Sequence, residues 1–154
     1  MESITSRLSG PRPFAVIGRW VLTPLDRMLA HSRLAPTRLA TDLPLCFVTS
    51  IGRHSGEQRT APLVFMPADE GGIVVVATNW GTERHPGWSY NLDSHPTARY
   101  EIDGTVTEAV ARRATADEFG RYWPRFVERW PAYARYRARL HRDIRMYVLE
   151  PQPT

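Results

Sequence analysis

Three apolar runs, at residues 45–51, 59–66 and 73–78, constrain this chain more than any other feature. Each has strand length and is rich in Val, Ile, Phe or Leu, and turn residues bound each run. The first and third carry few polar residues, which predicts strands buried on both faces. Residues 52–57 between the first two form a polar turn with two glycines, and Asp69-Glu70-Gly71-Gly72 separates the second from the third. Pro62 lies inside the second run. It removes a ladder donor, so that stretch is a sheet edge, a bulge or a place where a ligand replaces the ladder.

The rest of the chain extends this pattern. Residues 97–102 alternate, with Ala98, Tyr100 and Ile102 on one face; Asp103-Gly104 is a two-residue hairpin signal, and 105–111 is the partner strand. Residues 144–149 read as a last strand. Pro86 suits the first position of a short helix with Trp88 and Leu92 on one face, closed by His95 before Pro96. Thr115-Ala116-Asp117-Glu118 fits a capping box, opening a helix that carries Phe119, Tyr122, Trp123 and Phe126. Pro124 is expected to kink or split that helix, and Pro131 to start another turn with Tyr133 and Tyr136. Six strands, one helix after the third and another before the last, predict a mainly β chain with helices (α+β). The form expected is a small closed or partly open barrel, not a doubly wound sheet.

Ahead of the barrel, Phe14, Ile17, Val21, Leu25, Met28 and Leu29 recur at helical spacing, interrupted by Pro24. Residues 1–36 are thus a tail and helical segment, and 37–154 the barrel, in one domain overall. The helical segment packs on protein or, with Arg19, Arg27 and Arg33 beside its apolar face, lies against a membrane surface. No run is long enough for a membrane span and no secretory leader is visible, so a cytoplasmic protein is expected, with peripheral contact to the inner membrane face through 14–34 as its one membrane option. The lone Cys46 sits in an apolar run and reads as a buried structural thiol.

All 20 basic residues are Arg, against 16 acidic ones. Arg makes bidentate contacts to carboxylate and phosphate and does not act as a proton-labile base. Arg53 and Arg59, with Ser55 and the glycines of the turn, suit an anion site; the alternative is a solvated hairpin turn. Thr78 and Asn79 offer hydrogen bonds to the edge of a flat polar ring. Arg121, Arg125 and Arg129 make a basic helical stripe that also fits a solvated face, and nucleic acid is not the partner expected. The scattered His and single Cys give no metal spacing.

Two motifs carry a family resemblance. Gly52-Arg53-His54-Ser55-Gly56-Glu57-Gln58-Arg59-Thr60-Ala61-Pro62-Leu63 resembles the Gly-Arg-Lys-Ser-Gly-x-x-Arg-x-x-Pro-Leu signature of the deazaflavin-dependent nitroreductases. Ala77-Thr78-Asn79-Trp80-Gly81, then His85-Pro86-Gly87-Trp88 and Asn91-Leu92, is similar to their second signature. The resemblance implies a split β-barrel of the flavin-reductase type that binds coenzyme F420 (alternatively FMN), as monomer or homodimer. It implies hydride transfer from the reduced deazaflavin to a quinone-like, nitroaromatic or other electron-poor acceptor. A coenzyme- or lipid-binding barrel without turnover is the competing class. The coenzyme residues implied are Arg53, His54, Ser55, Arg59, Thr60, Ala61 and Pro62 around the turn. Ala77, Thr78, Asn79, Trp80, His85, Pro86 and Trp88 are those of the loop and short helix. Trp88 is weighted toward core. Tyr133 and Tyr136 are the candidate catalytic residues, with hydroxyls able to supply a proton or hydrogen bond to the acceptor. The chain departs from the family pattern at His54 (usually Lys), Glu57 (often basic) and Trp80 (usually Gly).

Overall fold

A computed structural model describes residues 44–154. The expected helices of 14–34 lie outside the described residues. Six strands form a closed antiparallel barrel in the order β1-β2-β3-β6-β5-β4. They are β1 (Leu45–Ile51), β2 (Gln58–Pro67), β3 (Ile73–Ala77), β4 (Thr97–Ile102), β5 (Thr105–Arg113) and β6 (Arg145–Pro151). Helix α1 (Gly87–Ser94) follows β3, and α2 (Ala116–Arg129) and α3 (Ala132–Arg139) precede β6.

β3 shows why the barrel has two cores. All five of its residues are buried. Ile73, Val75 and Ala77 point into the barrel, among Cys46, Val48, Trp88, Leu92, Tyr147 and Leu149. Val74 and Val76 face outward, where Tyr122, Trp123, Phe126 and Tyr133 of α2 and α3 cover them together with Met146 and Val148 of β6. Successive strand residues point to opposite faces, so a run with no polar position needs cover on both. The second core is largely aromatic: Trp123 stacks on Tyr133 at 6.0 Å, and Phe126, wholly buried, lies 6.0 Å from the same ring. Losing a buried Phe of this kind costs about 3–5 kcal/mol.

The local signals translate directly. Asp103 and Gly104 both take positive φ, 48° and 82°, as the tight turn from β4 to β5 requires. Thr115 Oγ1 accepts from the Glu118 amide at 3.2 Å while the Glu118 carboxylate accepts from the Thr115 amide at 2.9 Å, completing the capping box. Pro124, however, does not split α2, which runs unbroken from Ala116 to Arg129. The carbonyl that Pro124 leaves without a helical donor is that of Gly120, and both residues are exposed, where a missing helical bond is least costly. Tyr122, Trp123 and Phe126, buried on either side of the proline, hold the helix to the barrel. The basic stripe is also engaged: Arg121 and Arg125 both bind the Asp69 carboxylate, at 3.1 and 2.9 Å. The Cys46 thiol is wholly buried and pushed up to about 12 by loss of water, which makes it inert.

Arg112 ties α2 to β6 by binding Glu118 at 2.8 Å and Glu150 through Nε. Its hydrogen bonds hold the Glu118 carboxyl at about 2. A carboxylate depressed in the folded state contributes its full stability above its ordinary value near 4.5 and loses it as pH falls through about 2. Unfolding free energy is therefore expected to decline between about pH 4.5 and 2, and Glu118→Gln to flatten that decline in urea titrations at stepped pH. An identical pH slope in the variant would remove Glu118 from this role.

Candidate functional site

β1 and β3 run parallel to each other, so the turn after β1 and the loop after β3 leave the same end of the barrel. The turn at 52–57 is closed by two backbone bonds, Gly52 N–H to the Glu57 carbonyl at 2.7 Å and Gly56 N–H to the Gly52 carbonyl at 2.8 Å. Below it opens a groove of about 580 Å³. Arg53, His54, Ser55, Arg59, Thr60 and Ala61 all line it, and so does Trp88, which also packs in the barrel core. Four further residues complete it: Gly52, Gly87, Tyr90 and Asn91.

Asn91 fixes the turn to α1. Its side-chain oxygen accepts the Arg53 amide at 3.0 Å and its amide nitrogen donates to Ser50 Oγ at 3.2 Å, with Asn91 and Ser50 both buried. The Arg53 guanidinium then lies 4.2 Å over the Tyr90 ring, a cation–π contact that holds its charge at the groove. Arg145 sits 4.8 Å from the same ring. Arg59 reaches the groove paired to Glu57 at 3.0 Å, both largely exposed.

β2 supplies the opposite wall. It pairs with β1 along 58–64 but with β3 only at Phe65, Met66 and Pro67. The Phe65 amide donates to the Pro44 carbonyl at 3.0 Å. Alternation then turns the amides of Arg59, Ala61 and Leu63 toward β1, and turns Thr60, Pro62 and Val64 toward an edge that no barrel strand pairs. Pro62 sits where its missing N–H breaks no ladder bond, which settles how a proline fits this strand.

The loop after β3 forms a second, adjoining structure. Asn79, Trp80 and Gly81 have φ of 45°, 58° and 73°, three successive left-handed residues. Arg142 donates to the carbonyls of Thr78 at 2.9 Å, Thr82 at 3.0 Å and Ala77 at 3.3 Å. Arg139 donates to the Trp80 carbonyl at 3.1 Å. Arg142 also lies 3.3 Å from His85 Nδ1, and His85 Nε2 lies 3.5 Å from Asp143. Arg can only donate, so Nδ1 accepts and the ring proton is on Nε2. Burial and then Arg145 and Arg142 hold the His85 imidazole below its ordinary value, hence neutral. Thr78, Asn79, Trp80 and His85 therefore belong to this clamped loop, Ala77 ends β3 in the barrel core and Pro86 caps α1; none of them lines the groove, and Pro62 does not line it either.

Tyr133 is buried in the aromatic core. Loss of water pushes its phenol up to about 12, against a hydrogen bond with the Thr78 side chain. Tyr136, half-buried, lies 6.0 Å from Tyr133 with Arg139 5.2 Å over its ring. Neither borders the groove; both stand behind the clamped loop.

The family described as F420H(2)-dependent quinone reductase matches residues 29–151. The chain belongs to this family. Its relatives agree. The Mycobacterium tuberculosis protein Rv3178, named for the F420H(2)-dependent quinone reductases, is 28% identical over 110 residues, 71% of this chain and 92% of that protein. A solved F420-H2-dependent reductase, FDR-A, is 30% identical with a TM-score of 0.64, covering 70% of this chain and 94% of its own. A structure described as a domain-swapped dimer is 28% identical with a TM-score of 0.64, covering 86% and 98%. The chain is thus an F420-dependent oxidoreductase of the quinone-reductase type on a split β-barrel, and F420 is its coenzyme. The groove has the volume of a small-molecule site and is lined by two arginines, Arg53 and Arg59, and by Thr60 at the start of the unpaired β2 edge.

Tyr90 carries no sequence signal for the site. Asn91 carries one: a polar residue beside Leu92 in a helix that buries Trp88 and Leu92 needs a buried partner. Asn91→Leu leaves the Arg53 amide and the Ser50 hydroxyl unpaired and is expected to cost about 1–3 kcal/mol in urea unfolding. An unchanged midpoint would mean the turn is held without it.

Proposed function

We propose that the groove under the basic turn is the coenzyme seat, and that the arginines set its affinity. This rests on one observation above all, the meeting of Arg53 and Arg59 in a single groove with Thr60, the residue at which the unpaired edge of β2 begins. Arg53 and Arg59 bind the phosphate and carboxylates of the coenzyme's arm through charge-assisted bonds. Ser55 Oγ already accepts the Glu57 amide at 3.2 Å, which leaves its hydroxyl proton to donate to the same arm. Thr60 presents its N–H and carbonyl to the polar rim of the ring, and the side-chain oxygen of Asn79, outside the groove on the clamped loop, meets the part of the ring that extends past it. The bound reduced deazaflavin supplies the hydride.

The chain's remaining tasks are to exclude water and to stabilise the reduced acceptor. Trp88 closes the floor of the groove. Tyr136, the more accessible phenol, donates a hydrogen bond to the acceptor oxygen, and Tyr133, held by Thr78, orients it. The acceptors proposed are quinone-like or nitroaromatic compounds, whose carbonyl or nitro oxygens take that bond. Among the described residues no helix is long and apolar enough to cross a membrane. A cytoplasmic setting, with residues 14–34 touching the inner membrane face, belongs to the same proposal and rests on their amphipathic spacing.

Glu57 competes with the coenzyme for Arg59. An exposed ion pair is worth about 0–1 kcal/mol, so a phosphate displaces it readily. Fluorescence titration with F420, and with FMN in parallel, is expected to show saturable binding of F420 alone. Arg59→Ala weakens it about tenfold or more, and Glu57→Gln tightens it by up to about fivefold. Undiminished affinity in Arg59→Ala would move the anionic arm elsewhere.

A further inference from the structure

We propose that Trp80 is the specificity-determining residue for the acceptor, a flat platform on which a planar quinone or nitroaromatic stacks. The proposal rests on the coenzyme seat argued above and adds the site of the second substrate.

Trp80 has a conformation that its side chain disfavours. Its φ of 58° and ψ of 22° lie in the left-handed region, where a Cβ crowds the following carbonyl. Bulky residues avoid it. Such strain persists only where neighbours over-determine the backbone, and here they do. Arg139 binds the Trp80 carbonyl at 3.1 Å, and Arg142 binds the carbonyls of Thr78 and Thr82 on either side. Glu83 accepts the His141 amide at 3.2 Å and lies 3.0 Å from His141 Nδ1. The last residue of α3 and the segment after it therefore grip the loop at each end and in the middle. Gly81 lets it close further: a Cβ there would lie 2.5 Å from Arg139 Nη2 and 2.6 Å from the Tyr136 ring.

What the grip holds out is an indole. Trp80 is 53% exposed, the most exposed of the large apolar residues in the described chain. The fold does not use it as core. Among the described residues its one ring contact is to Trp130, T-shaped at 6.3 Å and 73°, so no described ring stacks face to face on it. Trp130 in turn stacks on Tyr133 at 5.9 Å, and Tyr133 lies against Tyr136. Trp80 is thus the outer member of an aromatic series that ends at the phenol proposed to meet the acceptor. A strained backbone that displays an exposed indole beside a proposed hydrogen-bond donor has a physical use in binding a planar, electron-poor ring. Stacking on such a face is worth about a factor of ten or more in affinity.

The test pairs Trp80→Asn, which keeps a residue tolerant of left-handed backbone, with Trp80→Phe, which keeps a ring. Each is compared with wild type for F420 binding, for thermal midpoint, and for steady-state kinetics with menadione as the planar probe and 1,4-benzoquinone as the smaller one. In Trp80→Asn, the KM for menadione is expected to rise about tenfold, that for benzoquinone by less, and F420 affinity to stay within about twofold. Trp80→Phe should recover most of the menadione KM. The Trp80→Asn thermal midpoint should not fall, because backbone strain is relieved. Unchanged menadione KM in Trp80→Asn with coenzyme binding intact overturns the proposal. So does loss of F420 binding in that variant, which would make Trp80 part of the coenzyme seat. Failure of the wild type to bind F420 would overturn the coenzyme reading itself, and the platform with it.

Discussion

The burial of β3 on both faces is the constraint from which the rest follows. One face of Ile73–Ala77 closes the barrel interior and the other takes the aromatic cover of α2 and α3. Only a strand without polar positions can serve both, and none of its side chains is free to carry chemistry. Chemistry is displaced to the strand ends. Because β1 and β3 run in the same direction, the turn at 52–57 and the loop at 78–84 emerge together. α1 lies between them, its Asn91 bound to the turn and its Tyr90 packed against His85 of the loop at 5.9 Å.

The two halves of the site are held by different physics. The turn is set by buried, neutral hydrogen bonds and bears exposed charge outward. The loop is set by arginines that bind backbone carbonyls, which costs them part of their hydration; burial lowers the Arg142 guanidinium from its ordinary range. Arginine suits this because it stays charged and presents several donors at once. A chain whose basic residues are all Arg thus uses the same side chain at the groove, as Arg53 and Arg59, and for scaffolding, as Arg139 and Arg142.

Much of this was legible in the sequence, for identifiable reasons. Strand-length apolar runs, the Asp103-Gly104 turn and the Thr115–Glu118 box are local signals, and the fold kept each. The basic turn was legible because its glycines, arginines and serine are adjacent in the chain. Pro124 did not split its helix because both it and Gly120 are exposed and the flanking aromatics are anchored, which depends on tertiary exposure. The pairing of Glu57 with Arg59 and the contacts of Tyr90 depend on rotamers. The roles of Arg139 and Arg142 were illegible: their partners are carbonyls some sixty residues away, and every residue type offers the same carbonyl.

The central claim is that this barrel catalyses hydride transfer from reduced F420 to an electron-poor acceptor. The most direct measurement is the oxidation of F420H2 by menadione, followed by absorbance, with and without the purified protein and with reduced FMN as the control donor. The account predicts a rate proportional to protein, saturable in F420H2 and in menadione, with no acceleration of the FMN reaction. Saturable F420 binding without any acceleration would contradict it, and would leave a coenzyme-binding barrel without turnover in its place.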